Sequence, residues 1–321
     1  SPNDPSRMKS ALFAMLATAT TLALNSFMPG SALAADELQG DTFVHDPTLW
    51  IESGVHYVFS TGPGLQRLRS PDGVSWTRLA PVFNEANRPA WWAVNVPAHK
   101  GVDVWAPKLF PHGGRFHVMY SISTFGSRQS AIGIASAATP DAAQWRDDGI
   151  VVTSGPSDDY NAIDADVFID DDSRIWMSYG SFWGGIRMTE LDTATLRPKG
   201  ETRFVASHRP GIEAPTLMKR NGSYYLFVSW GYCCRGVDST YNIRVGRGAS
   251  PMGPFLDREG VDMLKAGGTL VEEGGERWKG PGHQDVFGNW LARHSYDVQA
   301  GGKSRLRLSA MNWSADGWPT P

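Results

Sequence analysis

His45-Asp46-Pro47-Thr48-Leu49-Trp50 is the first writing of a pattern that the chain repeats five times. The other copies begin at Trp105-Ala106-Pro107-Lys108-Leu109-Phe110, Ile163-Asp164-Ala165-Asp166-Val167-Phe168, Glu213-Ala214-Pro215-Thr216-Leu217-Met218 and His283-Gln284-Asp285-Val286-Phe287. After a turn, each runs on into an aromatic or β-branched segment: HYVFST, FHVMYS, IWMSYG, YYLFVS and WLARHSYD. Short strands repeating at roughly 50 to 70 residues predict an all-β fold, a five-bladed β-propeller. Blades converge on one axis, so the five openings meet there, and Asp46, Asp164 and Glu213 come to share one site.

Within the first four copies the turn residues stand where hairpins need them: Ser53-Gly54, Gly113-Gly114, Asp170 to Ser173 and Asn221-Gly222. Asp170, Asp171 and Asp172 resemble a calcium loop, but the remaining ligand spacing is missing and Asp is an ordinary turn former, so the run reads as a turn. The strands predict burial on both faces, which blurs their alternation.

Residues 1–34 stand apart. Met8-Lys9, an apolar stretch from Ala11 to Leu24 and Ala32-Leu33-Ala34 form the three parts of a secretory signal peptide with cleavage after Ala34, preceded by a short upstream extension. Residues 35–321 then form the propeller domain of an exported protein, periplasmic or extracellular. No second apolar stretch is long enough to span a bilayer. With 30 basic and 33 acidic residues and no block of like charge, the composition argues against nucleic acid or a membrane surface as partner and favours a weakly charged ligand. The 13 Trp, 9 Tyr and 14 Phe suit sugar stacking only at the blade openings, since strand faces use aromatics for packing. The two cysteines are the neighbours Cys233 and Cys234, which admits either a vicinal disulfide or two thiols.

A carboxylate at the start of an apolar strand costs stability unless it is paired or hydrogen-bonded. One such group reads as a cap on a blade entrance, but three in matching or adjacent registers point to glycoside hydrolysis. That reaction needs an acid to protonate the leaving oxygen and a second carboxylate as base or nucleophile. A third carboxylate beside the acid keeps it protonated by like-charge repulsion.

HDPT at His45 to Thr48, NAID at Asn161 to Asp164, GSFWGGI at Gly180 to Ile186, EAPT at Glu213 to Thr216, CCRGVDSTYNIRVGR at Cys233 to Arg247, GPGHQDVF at Gly280 to Phe287 and the closing DGWP at Asp316 to Pro319 together resemble the endo-α-1,5-L-arabinanases of glycoside hydrolase family 43. The resemblance implies an inverting hydrolase acting on linear arabinan as a monomer, with Asp46 as general base, Glu213 as general acid and Asp164 as the carboxylate that modulates the acid's pKa. An inverting pair stands about 6.5 to 9.5 Å apart. Glu213 sits one position earlier in its copy than Asp46 does in its own, a difference that its longer side chain offsets.

The same resemblance places Gly126, the backbone of Asn161, Ala162 and Ile163, and Ser181, Phe182 and Trp183 along the sugar subsites. Phe125 and Trp183 are the candidates for stacking, and Phe182 suits either core or subsite. His283 alone reads as a structural histidine, but the resemblance puts it beside a single central metal, calcium (Ca2+), held mostly by water. Two residues depart from the family's usual pattern. Ala165 replaces a common Pro, and Lys108 replaces a common acidic residue, which is expected to alter charge at the mouth of the cleft. The competing functions are an exo-acting arabinofuranosidase or xylosidase of the same family and a sugar-binding propeller without catalysis.

Overall fold

The computed structural model describes residues 38–321, so the expected signal peptide lies outside the described residues. Five sheets follow one another along the chain, one for each copy of the pattern, antiparallel except where Gln39–Gly40 pairs parallel with Ser75–Leu79 at the edge of the first. Their innermost strands are Thr48–Glu52, Asp103–His112, Asp166–Ile169, Ile212–Arg220 and Trp278–Phe287. Each contacts the next, and the last contacts the first, which closes a ring of five blades. Middle strands such as Ser130–Ala137 and Ile175–Tyr179 are buried along their whole length, as expected for a sheet covered on both faces by its neighbours.

The sequence does not reveal how the ring closes. In the structure, the segment from Thr42 to Val44 lies along the outer strand of blade 5: Leu306 N–H donates to Thr42 O at 2.8 Å, and Ser304 Oγ donates to Val44 O. Val44, Leu49 and Leu68 then pack with Ala292, Leu306 and Leu308 in one apolar cluster, joining the first blade to the last. The closing DGWP segment packs against blade 4, where Trp318 meets Tyr225 and the Tyr225 hydroxyl donates to Gly317 O at 2.7 Å. Asp170 to Ser173 form a plain hairpin turn, with Ser173 N–H donating to Asp170 O and Lys219 paired to Asp170 and Asp171.

Around the axis the blades are tied by side chains reaching across to a neighbour's backbone. Asp285 accepts from Leu49 N–H at 2.8 Å, Thr48 from Leu109 N–H at 3.2 Å and Asp166 from Leu217 N–H at 2.8 Å. Each bond satisfies a buried backbone donor that no ladder reaches. Lys108 belongs to this layer, which corrects its expected place at the cleft mouth. Its side chain is largely covered, only 13% exposed, with Nζ 2.9 Å from Asp166 Oδ1 and 2.7 Å from Asp285 Oδ1. The reason is register: Thr48, Lys108, Asp166, Thr216 and Asp285 each stand two residues beyond the axial turn of their blade, where side chains meet one another rather than solvent. Burial alone would lower the Lys108 ammonium pKa, but the two carboxylates raise it above its ordinary value.

Candidate active site

The five openings meet through a shared backbone feature that the residue pattern does not announce. Asp46, Ala106, Asp164, Ala214 and His283 all adopt a left-handed conformation, with φ of 56°, 48°, 61°, 55° and 46°. For residues other than glycine this costs on the order of 1–2 kcal/mol each. In blades 2, 4 and 5 the ladder also slips at this point, between Trp105 and Lys108, Glu213 and Thr216, and Gly282 and Asp285. These bulges aim the strand openings toward the axis. In blade 4, Ala214 holds the axial position and Glu213 precedes it, the place taken by Trp105 in blade 2 and Ile163 in blade 3.

Asp46, Asp164, Glu213 and His283 line one cavity of about 1050 Å³. Asp46 is tightly held. Thr61 Oγ1 donates to its Oδ2 at 2.5 Å, His45 Nδ1 lies 2.8 Å from the same oxygen, and His283 Nδ1 lies 3.0 Å from Oδ1. Its backbone N–H donates to His294 Nδ1 at 3.0 Å. Burial pushes the Asp46 pKa up, but His45 and His283 outweigh burial and hold it well below the usual carboxylate range. Burial first, and then His45 and His283 against the pull of Asp46, lower the His294 pKa far below its ordinary value. The 3.7 Å approach of His294 to Asp46 is therefore no ion pair, and His294 acts as a neutral acceptor.

Glu213 accepts from the hydroxyls of Ser181 and Tyr241, one to each oxygen. Burial and the Glu213 charge raise the Tyr241 phenol, which keeps it a donor. Tyr241 packs so closely that a Cβ at Gly282 would stand 2.1 Å from its ring, so Gly282 is required for this approach. Asp164 accepts from Ala214 N–H at 3.2 Å, beside Glu213. Its pKa is raised well above the ordinary value, first by burial and then by Glu213 and Asp46 against the pull of His283. His283 shows the reverse balance: burial lowers its pKa, and Asp46, Asp164 and Glu213 raise it to about 9.

The expected subsite residues fall into two groups. Phe125 is 82% exposed and Trp183 42%, and both line the cavity. Phe125 stands out because Thr124 to Ser127 form a turn, closed by Ser127 N–H donating to Thr124 O, with Gly126 at φ 79° in the position that favours glycine. Phe182 also lines the cavity, half-buried against Tyr232. The other group serves the frame. Ser181 is buried and spends its hydroxyl on Glu213. Asn161 lines the cavity but gives its side chain to Ser130 and Ser127, and Ile163 O accepts from Gly180 N–H. Ala162 does not line the cavity at all: it lies in the core between blades 2 and 3. The alternation of the NAID segment turns that residue away from the axis.

Cys233 and Cys234 are joined as a vicinal disulfide, on a loop that forms another wall of the cavity. Sequence reasoning did not single out Thr61, Tyr241, His294 or Tyr296 for the site.

Residues 40–319 match the sequence model of glycosyl hydrolases family 43. The chain is 41% identical over 320 residues to the extracellular endo-α-(1→5)-L-arabinanase 1 of Bacillus subtilis (strain 168), covering 96% of each protein. It is 37% identical over 313 residues to an extracellular exo-α-(1→5)-L-arabinofuranosidase of Cellvibrio japonicus (strain Ueda107), covering 90% of this chain and 88% of the relative. Among solved structures, the family 43 endo-arabinanase of Bacillus licheniformis superposes with a TM-score of 0.85 at 44% identity, over 89% of this chain and 99% of that one.

Proposed function

This chain belongs to glycosyl hydrolases family 43, and we propose that it hydrolyses internal α-1,5-L-arabinofuranosidic bonds of arabinan by a single inverting displacement. The observation that carries the reading is one cavity in which a carboxylate kept anionic by two histidines shares its walls with a second one gripped by two hydroxyls. Asp46 takes a proton from water as the water oxygen bonds the anomeric carbon. Glu213 delivers a proton to the departing oxygen as the glycosidic bond breaks. Asp164, whose pKa is raised by burial and then by Glu213 and Asp46 against the pull of His283, stands beside Glu213, where it modulates the acid's pKa and orients the acid and the substrate. Phe125 and Trp183 offer faces for arabinose rings.

Endo and exo activities both occur among the relatives, so the discriminating measurement is the length of products from linear arabinan over time. Oligomers of intermediate length at the first time points are expected. Arabinose alone from the start would replace this reading with exo cleavage. The chain is further proposed to act outside the cell, in keeping with its extracellular relatives and the leader read in residues 1–34. The secreted protein should begin at Ala35 on N-terminal sequencing.

A single calcium ion is proposed at His283. The donor chemistry suits one cation: Nδ1 is given to Asp46, Nε2 would hold the ion after giving up its proton to solvent, and three buried carboxylates share the cavity. When bound, the ion supplies positive charge and ordered water beside them. Chelation is expected to lower the melting temperature by about 5 °C, since a ligand present at a hundred times its Kd stabilises by about 2.7 kcal/mol. An unchanged melting temperature would remove the metal from the account.

A further inference from the structure

The disulfide loop touches the catalytic base through an unbroken chain of hydrogen bonds. Cys234 N–H donates to Tyr296 Oη at 2.8 Å, and Tyr296 Oη lies 2.7 Å from His45 Nε2. His45 Nδ1 lies 2.8 Å from Asp46 Oδ2. The Asp46 carboxylate can only accept, so His45 Nδ1 carries the proton between them. Tyr296 accepts from the amide, and its one proton is assigned to the Nε2 lone pair. Burial raises the Tyr296 pKa far above its ordinary value, so the phenol remains a donor. The imidazole is also clamped from one side, because its ring stacks on His294 with centroids 3.8 Å apart, and His294 holds the Asp46 backbone.

We propose that Cys233–Cys234, Tyr296 and His45 form a positioning chain for the Asp46 carboxylate, so that the oxidation state of the two cysteines sets the rate of the chemical step. The inference rests on the reading of Asp46 as the base. The disulfide closes a small ring that fixes the peptide between its two cysteines and with it the Cys234 amide. A dithiol reductant breaks this bond by supplying two electrons. Each cysteine sulfur gains a proton, and the dithiol closes into its own disulfide. Cys234 Sγ, 3.8 Å from His45 Nε2, then becomes a thiol that competes with Tyr296 for the same lone pair. The amide is released at the same moment. His45 loses its single enforced tautomer and Asp46 its fixed orientation, and misplacement of a catalytic group on the order of 1 Å can cost about a hundredfold in rate.

The test compares wild type, Tyr296→Phe and the Cys233→Ser/Cys234→Ser double variant on linear arabinan, each before and after dithiothreitol, with thiol titration confirming reduction. Reduction of wild type should lower kcat about tenfold with KM changed less than twofold, and reoxidation should restore it. Both variants should show the same low kcat and no response to the reductant. A rise in KM at constant kcat would make the loop a substrate wall only and overturn the proposal. So would a Tyr296→Phe enzyme that stays as sensitive as wild type. A readout independent of substrate is the tautomer of His45 in two-bond proton–nitrogen spectra. Nδ1–H in the oxidised protein should give way to a mixture on reduction, and an unchanged tautomer would overturn the inference even if arabinan proved not to be the substrate.

Discussion

Glu213→Gln and Asp46→Asn should each lower kcat on linear arabinan by about 10³-fold, with KM nearly unchanged, because each replacement keeps the size of the group and removes only its ability to move a proton. The two losses have different chemical signatures. An aryl arabino-oligosaccharide with a nitrophenolate leaving group needs no proton at its departing oxygen, so the Glu213→Gln enzyme should recover most of its rate on that substrate. The Asp46→Asn enzyme should not, since the attacking water still requires a base. Equal recovery by both variants would exchange or dissolve the two roles, and full activity of either on arabinan would remove that residue from the mechanism. Both variants should remain folded. In Asp46→Asn the amide oxygen can still accept from the Thr61 hydroxyl, and in Glu213→Gln it can still accept from either Ser181 or Tyr241.

The architecture and the three carboxylates were legible because both are written in the same repeated pattern: one copy per blade, with the reactive groups at its variable positions. What stayed hidden depends on pairs of residues that no local pattern links. His294 and Tyr296 stand two apart in WLARHSYD and so share a strand face, but a buried His or Tyr in a β-run ordinarily reads as packing. Only the ring closure, which carries Asp46 from one end of the chain to His294 near the other, shows that this face meets the base. Ser181 reads as a subsite residue because its loop lines the cleft. Its partner Glu213 lies on the next blade, and the bond is a matter of depth rather than of sequence. The offset of Glu213 was visible, but its cause, a left-handed Ala214 in the axial place, is a backbone fact that alanine does not advertise.

Lys108 is where the residue type was most misleading, and its replacement should have the largest effect on stability. Lys108→Met keeps the length and packing of the stem but leaves Asp166 and Asp285 buried, with the ammonium gone that lay 2.9 and 2.7 Å from them. Removing one member of a buried ion pair typically costs about 3–5 kcal/mol, because the remaining charge is neither solvated nor compensated. Here two carboxylates are left, and each also holds a backbone amide of a neighbouring blade, Leu217 for Asp166 and Leu49 for Asp285. The loss should therefore be read at both inter-blade seams, as a lower urea midpoint and as faster amide exchange at Leu49 and Leu217. Its dependence on pH follows from Asp166, whose pKa burial already raises despite Lys108. Without the ammonium it rises further, and a group whose folded pKa exceeds its unfolded value destabilises the fold at pH above that range and relieves it as protons bind. The deficit of Lys108→Met should thus be full at neutral pH and shrink as pH falls toward 4, whereas a simple packing defect would be independent of pH. A deficit below about 1 kcal/mol at neutral pH would mean that water enters the axis and solvates the pair, and that the ion cluster is not what fastens the blades at their centre.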